Sequence, residues 1–97
     1  MNVPNTPPAR HLAMLHKGDT AVVTGLSEDA TDDADLLAIK MRLLELGFAP
    51  GEPVRVVAEA FPNHDPMAVR IGNTTFALRR REAALIRVAQ DQVILAA

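Results

Sequence analysis

Few side chains in this chain of 97 residues are equipped for chemistry. His11, His16, His64 and Asp65 are the candidates for gripping a metal ion. A ferrous site of the two-histidine, one-carboxylate kind needs three such groups converging on one point. His11 and His16 stand five residues apart, whereas partners on one helix face stand three or four apart. His64 and Asp65 share a proline-bounded loop and supply at most two ligands. Spacing therefore specifies no metal site. Asp29, Asp32, Asp33 and Asp35 superficially suit calcium, but their stretch lacks the central glycine and closing glutamate of an EF-hand loop. Ser27 is the only serine and has no histidine close in sequence, and no Walker-type phosphate loop occurs. The chain reads as a non-enzyme with no cofactor.

Binding chemistry is better represented. Arg79, Arg80 and Arg81 form the only basic run, with Arg70 and Arg87 nearby in sequence. One reading is a solvated face that Glu82 partly neutralises; the other is a docking patch for an acidic surface, arginine being enriched at interface hot spots. The formal net charge of −2 argues against a nucleic-acid footprint.

These groups need a scaffold, and the scaffold turns on a junction. RLLELGFAPGEPVRVV (42–57) passes from a leucine-rich helical pattern through Gly47 and Pro50-Gly51 into a valine-rich alternation. A helix is predicted over about 33–46, with Thr31 or Asp32 as N-cap and acidic residues favoured by the dipole in its first turn. Gly47 is its C′ residue, and Pro50 prevents its resumption. At 100° per residue, Leu36, Ile39, Leu43 and Leu46 fall within one arc of about 80°. A second stripe of Leu37, Met41 and Leu44 lies about 100° away. That second stripe is either further core or an exposed patch of the sort that marks an interface.

Strands are predicted at 20–26, 54–61, 67–71, 74–78 and 86–88, with Gly72-Asn73 as a two-residue turn. Alternation puts Val54, Val56, Ala58 and Ala60 on one face of the second strand, and Arg55, Val57, Glu59 and Phe61 on the other. Residues 12–19 form a short apolar turn around Leu12 and Leu15, and 79–85 a short helix. The loop PNHDP (62–66) reads as turn chemistry set by Asp65 and Pro66. The fold class is mainly β: a small barrel of about five strands, with one longer helix between the first and second. The expected organisation is a flexible leader (1–10), one domain (11–89) and a tail (90–97).

Apolar residues make up 48% of the chain and charged ones 23%, an ordinary globular balance. The absence of Cys excludes disulfides, Fe–S clusters and thiolate zinc sites. No stretch approaches a membrane span, and residues 1–10 lack the apolar core of a signal peptide. A cytoplasmic setting is expected.

Three elements in order carry a family resemblance. Arg42, Leu43, Leu46, Gly47, Pro50 and Gly51 form an RLxxLGxxPG element, Asp65-Pro66 a DP hairpin, and Leu78-Arg79 with Glu82-Ala83 an LRxxEA element. Over roughly residues 12–88 the chain resembles the FeoA family of ferrous iron transport accessory proteins. The resemblance implies an SH3-like barrel and a partner, the FeoB-type permease with its cytosolic GTPase domain. It implies a place at the inner face of the membrane only through that partner. Leu37, Met41 and Leu44, with Arg79, Arg80 and Arg81, are the expected partner-binding residues. The same domain type is also appended to iron-dependent repressors, so a repressor-associated module is an alternative, although no helix-turn-helix is evident here. A self-assembling protein using the run 93–95 as an edge strand is another.

Overall fold

Where the long helix stops decides how the rest of the chain is placed. The computed structural model describes residues 10–27 and 34–90, and α1 spans Ala34–Leu46. Gly47 takes φ 112, and a Schellman pair of hydrogen bonds ends the helix. Gly47 N donates to Leu44 O at 3.0 Å and Phe48 N to Leu43 O at 3.1 Å. The reversal carries Phe48 beneath the helix, where it is buried with Leu43 and its ring lies 5.9 Å from that of Phe76. Gly51, at φ 95, then donates to Val23 O at 2.7 Å while Val23 N donates to Glu52 O at 2.9 Å. The chain thus enters its next strand already registered against an earlier one.

Six antiparallel strands result: β1 (Arg10–His11), β2 (Thr20–Leu26), β3 (Pro53–Glu59), β4 (Met67–Ile71), β5 (Thr74–Leu78) and β6 (Ile86–Gln90). Their spatial order is β1-β6-β2-β3-β4-β5. A 3₁₀ turn (Leu12–Met14) follows β1, and a one-turn helix α2 (Arg80–Ala83) joins β5 to β6. The expected strands at 20–26, 67–71 and 74–78 stand as read from the sequence. The sixth strand is the two-residue β1, which is too short for periodicity to show. Its Arg10 pairs with Val88, so residue 10 belongs to the sheet rather than to a leader. The rest of the predicted leader and tail, the run 93–95 and the proposed N-caps Thr31 and Asp32 lie outside the described residues.

Inward-facing Val23, Val54, Val56, Met67, Val69, Ile71, Leu78, Ile86 and Val88 meet Leu12, Leu15 and Phe48 in one core. Helix α1 covers it with Leu43, and with Leu36, Ile39 and Leu46 packed at its margin. Four of the helix's apolar side chains are therefore engaged in burial, as the first stripe predicts.

The face assignment of β3 differs from simple alternation. Val56 pairs with Val69, but Ala58 pairs with Ala68, so Val57 is an extra residue in the ladder. A bulge of this kind reverses the parity of everything after it. Ala58 is exposed, and Glu59, opposite Met67, takes the inward parity. Strand β3 consequently ends at Glu59 instead of continuing to Phe61.

Replacing Gly47 tests the junction. An added Cβ would sit 3.9 Å from Ile71 Cδ1, an ordinary contact, so the penalty for Gly47→Ala is conformational. It is expected to be about 1–2 kcal/mol, read as a lower urea midpoint at unchanged m-value.

Candidate functional site

Two regions carry the side chains singled out in the sequence: the end of the barrel where α2 meets the 3₁₀ turn, and the outer face of α1.

At the barrel end, the bulge in β3 delivers the Glu59 carboxylate into a ring of donors. Lys17 N donates to Glu59 Oε2 at 2.8 Å. Oε1 accepts from the Arg80 guanidinium and has His16 Nδ1 at 3.2 Å and His64 Nδ1 at 3.3 Å. The two imidazole rings stand edge to face, 6.3 Å apart. Arg80 extends the network: Nη1 donates to Ala13 O and Leu15 O, and Nε to His64 O at 2.8 Å. Its backbone N–H donates to Asp65 Oδ1 at 3.0 Å, so the DP hairpin satisfies a donor at the start of α2. Arg79 N donates to Glu82 Oε1 at 2.9 Å, fixing the same helix start.

Local backbone serves this convergence. His64 sits at φ 62, in the left-handed region that histidine tolerates better than most residues. Its N–H returns to Ala60 O at 2.7 Å. The loop is held from within and its carbonyl is turned toward Arg80.

The basic run is thereby divided. The guanidinium of Arg80 joins the 3₁₀ turn, β3 and the 60–66 loop, and its side chain is 20% exposed. Arg79 and Arg81 are exposed. Arg81 lines a cleft with Asp35, Leu36, Ala38 and Ile39, on the opposite flank of α1 from Leu37, Met41 and Leu44. Of the three arginines expected as a patch, Arg79 and Arg81 are exposed and Arg80 is partly buried, and Arg81 does not adjoin the stripe.

The second stripe is on the surface. Leu37, Met41 and Leu44 are 51%, 56% and 48% exposed, and they line up along one outer face of α1. Of the two readings open in the sequence, burial in the core is excluded. Phe61 was missed as a surface residue. It is 94% exposed, because the bulge ends β3 before it can turn inward or outward with the strand. The signal available was its place beside a rigid, proline-bounded loop.

The metal candidates separate too. His16 and His64 converge, and Glu59, not Asp65, supplies the carboxylate; His11 is elsewhere, in β1. The arrangement does not suit a cation. Arg80 already places its positive charge on the oxygen that the histidines face, and a metal ion there would compete with it. Among the described residues no group of three or more His, Asp or Glu is disposed to hold a metal ion.

Comparison with known proteins identifies the scaffold. The FeoA domain family matches residues 10–90. The chain belongs to the FeoA domain family. A curated relative from Porphyromonas gingivalis, an Fe(2+) transport protein A/Fe(2+) transporter FeoB fusion protein, is 35% identical over 77 residues, covering 79% of this chain and 8% of the fusion. The chain thus spans under a tenth of that relative's length. Stenotrophomonas maltophilia FeoA, a prokaryotic SH3 domain protein solved with zinc, is 39% identical with a TM-score of 0.70, covering 82% of this chain and 89% of that one. A manganese-dependent transcriptional repressor is 30% identical with a TM-score of 0.68, covering 91% of this chain and 44% of the repressor. The fold is the SH3-like one expected for a FeoA domain.

Two outcomes follow from the barrel-end network. Arg80→Ala removes the donor to three backbone carbonyls and a carboxylate, and is expected to cost about 2–3 kcal/mol. Arg79→Ala and Arg81→Ala should stay within about 0.5 kcal/mol of the parent, as surface changes do; thermal melts of the three variants make the comparison. The second concerns pH. The Lys17 N–H bond, helped by His16 and His64 and opposed by desolvation, holds the Glu59 carboxyl below its ordinary value. A folded pKa below the unfolded one gives stability that is present above the ordinary carboxylate range and lost as pH falls through the folded value. Glu59→Gln is therefore expected to lower the thermal midpoint at neutral pH and to flatten its decline below about pH 4.5.

Proposed function

We propose that this FeoA domain acts by binding, as a non-enzymatic accessory of ferrous iron uptake. It docks on the cytosolic GTPase domain of a FeoB-type permease and works at the cytoplasmic face of the membrane through that partner. The fusion protein carries this reading, because it joins a FeoA sequence and a FeoB transporter in one chain. Tethering of that kind supplies a high effective concentration to modules that act on one another. Among the described residues no helix is long and apolar enough to cross a membrane, which agrees with contact through a partner.

The stripe of Leu37, Met41 and Leu44 is the docking surface. It is aliphatic, half exposed and carried on a helix that a Schellman end and four packed side chains hold rigid. Methionine adapts to an apposed apolar surface, and a rigid helix face loses little entropy on association. Arg79 and Arg81, exposed but apart from the stripe, add positive charge that raises the rate of encounter with an acidic partner surface. Docking biases the GTPase only through a difference in affinity between its conformational states.

The likeness to a manganese-dependent repressor favours a second reading, in which the same module serves metal-responsive transcriptional regulation. In that case the stripe meets another regulatory domain and not a GTPase.

The experiment is calorimetric titration of the chain into a soluble FeoB GTPase domain, with and without nucleotide. Leu37→Glu with Leu44→Glu is expected to leave the circular dichroism spectrum unchanged and to weaken binding by more than about tenfold, 1.4 kcal/mol. Affinity equal to that of the parent removes the stripe from the interface. No binding in either nucleotide state favours the regulatory reading.

A further inference from the structure

The outer face of the sheet carries a polar row with no part in docking by α1. Across β2, β3, β4 and β5 the paired residues run Thr20, Arg55, Arg70 and Thr75. All four are exposed, while Val54, Val56, Val69 and Ile71 beside them point into the core. Arg55 and Arg70 are direct ladder partners, which places their Cβ atoms about 5 Å apart. Two like charges so placed destabilise a strand pair.

Among the described residues neither arginine makes an ion pair. The pair forms the shared wall of two shallow clefts. One, of about 300 Å³, is completed by Lys17, Gly18, Val56 and Val57. The other, of about 260 Å³, is completed by Thr20, Pro53, Val54 and Gly72. No carboxylate lines either cleft. Of the acids within four residues of these cations, Asp19 accepts from His16 N at 2.8 Å, Glu59 is held by Lys17 N and Arg80, and Glu52 lines neither cleft. In a chain of net charge −2, three cations thus line one cleft that has no carboxylate among its described lining residues.

We propose that Arg55, Arg70 and Lys17 form a binding site for the phosphate group of a small soluble molecule. A planar carboxylate has two oxygens, which one guanidinium fork satisfies, leaving the other arginine unpaired. A phosphate group offers more acceptors than one fork can take, so two forks and an ammonium share it. The hydroxyl of Thr20, lining one cleft, is a further donor. Binding converts the repulsion between the arginines into attraction through a common anion. The negative net charge opposes approach to an anionic bilayer, and clefts at the small end of ligand-pocket volumes suit one compact group. The source is accordingly a soluble compound and not a lipid headgroup.

Pyrophosphate is the probe, titrated into the full chain and followed by amide chemical shifts and thermal melts. The expected result is saturable binding with an apparent Kd of about 1 mM or tighter, with shifts centred on residues 17–20, 55 and 70. Arg55→Gln and Arg70→Gln should each weaken it at least about tenfold. Each should also raise the midpoint of the ligand-free protein, because each removes a like-charge pair. Arg42→Gln, on the exposed face of α1, should change neither quantity. The proposal is overturned by unsaturable shifts, by equal affinity in the Arg55 and Arg70 variants, or by association with phosphatidylglycerol vesicles in place of pyrophosphate.

Discussion

One guanidinium closes this barrel. The strand order runs from β1 at one end of the sheet to β5 at the other, and among the described residues no ladder joins the two. The join is made by Arg80, which reaches the carbonyls of Ala13 and Leu15 after β1, the carbonyl of His64 in the 60–66 loop, and the carboxylate of Glu59 at the end of β3. Two stretches distant in sequence, 13–15 and 59–64, are pinned to the start of α2 by one planar group. Arginine suits the task because its fork presents several donors in fixed directions, whereas lysine offers a single mobile charge. The bulge at Val57 is the complementary device, since without the parity change Glu59 would face solvent.

This closure leaves α1 free of any duty at the seam. The helix needs only one stripe to cover the core, and Leu36, Ile39, Leu43 and Leu46 supply it. Its other apolar stripe remains on the surface, rigidly displayed. A division of labour follows between residues that look alike in the sequence. Among three consecutive arginines one is structural and two are exposed; among the seven Leu, Ile and Met residues of one helix four cover the core and three face out. The same small scaffold occurs within a transporter fusion and within a repressor. Such reuse is expected of a domain whose core is self-sufficient and whose role resides in its surface.

Periodicity and turn chemistry are local, and local features were legible. The helix, its stop at Gly47 and the strands at 20–26, 67–71 and 74–78 are all written in residue spacing, because a helix end or hairpin is decided within a few residues. The resemblance carried by the RLxxLGxxPG, DP and LRxxEA elements pointed to the family that comparison then established. Those elements have identifiable work: the first makes the Schellman junction, the second supplies Asp65 to the start of α2, and the third contains Glu82, which accepts from Arg79 N.

What the sequence alone determined is therefore a mainly β FeoA domain with one amphipathic helix of double-striped character. What only tertiary structure decided is which copy of a repeated residue type does which task. A bulge shifts parity by one residue without leaving a mark in composition, so Glu59 could not be placed inward from alternation. The pairing of Glu59 with Arg80 joins positions 21 residues apart, and that of Arg80 with Ala13 joins positions 67 apart. Likewise, whether a second apolar stripe is core or surface depends on how much sheet lies beneath the helix. These are questions of how distant segments meet in space, and spacing along the chain holds no information about them.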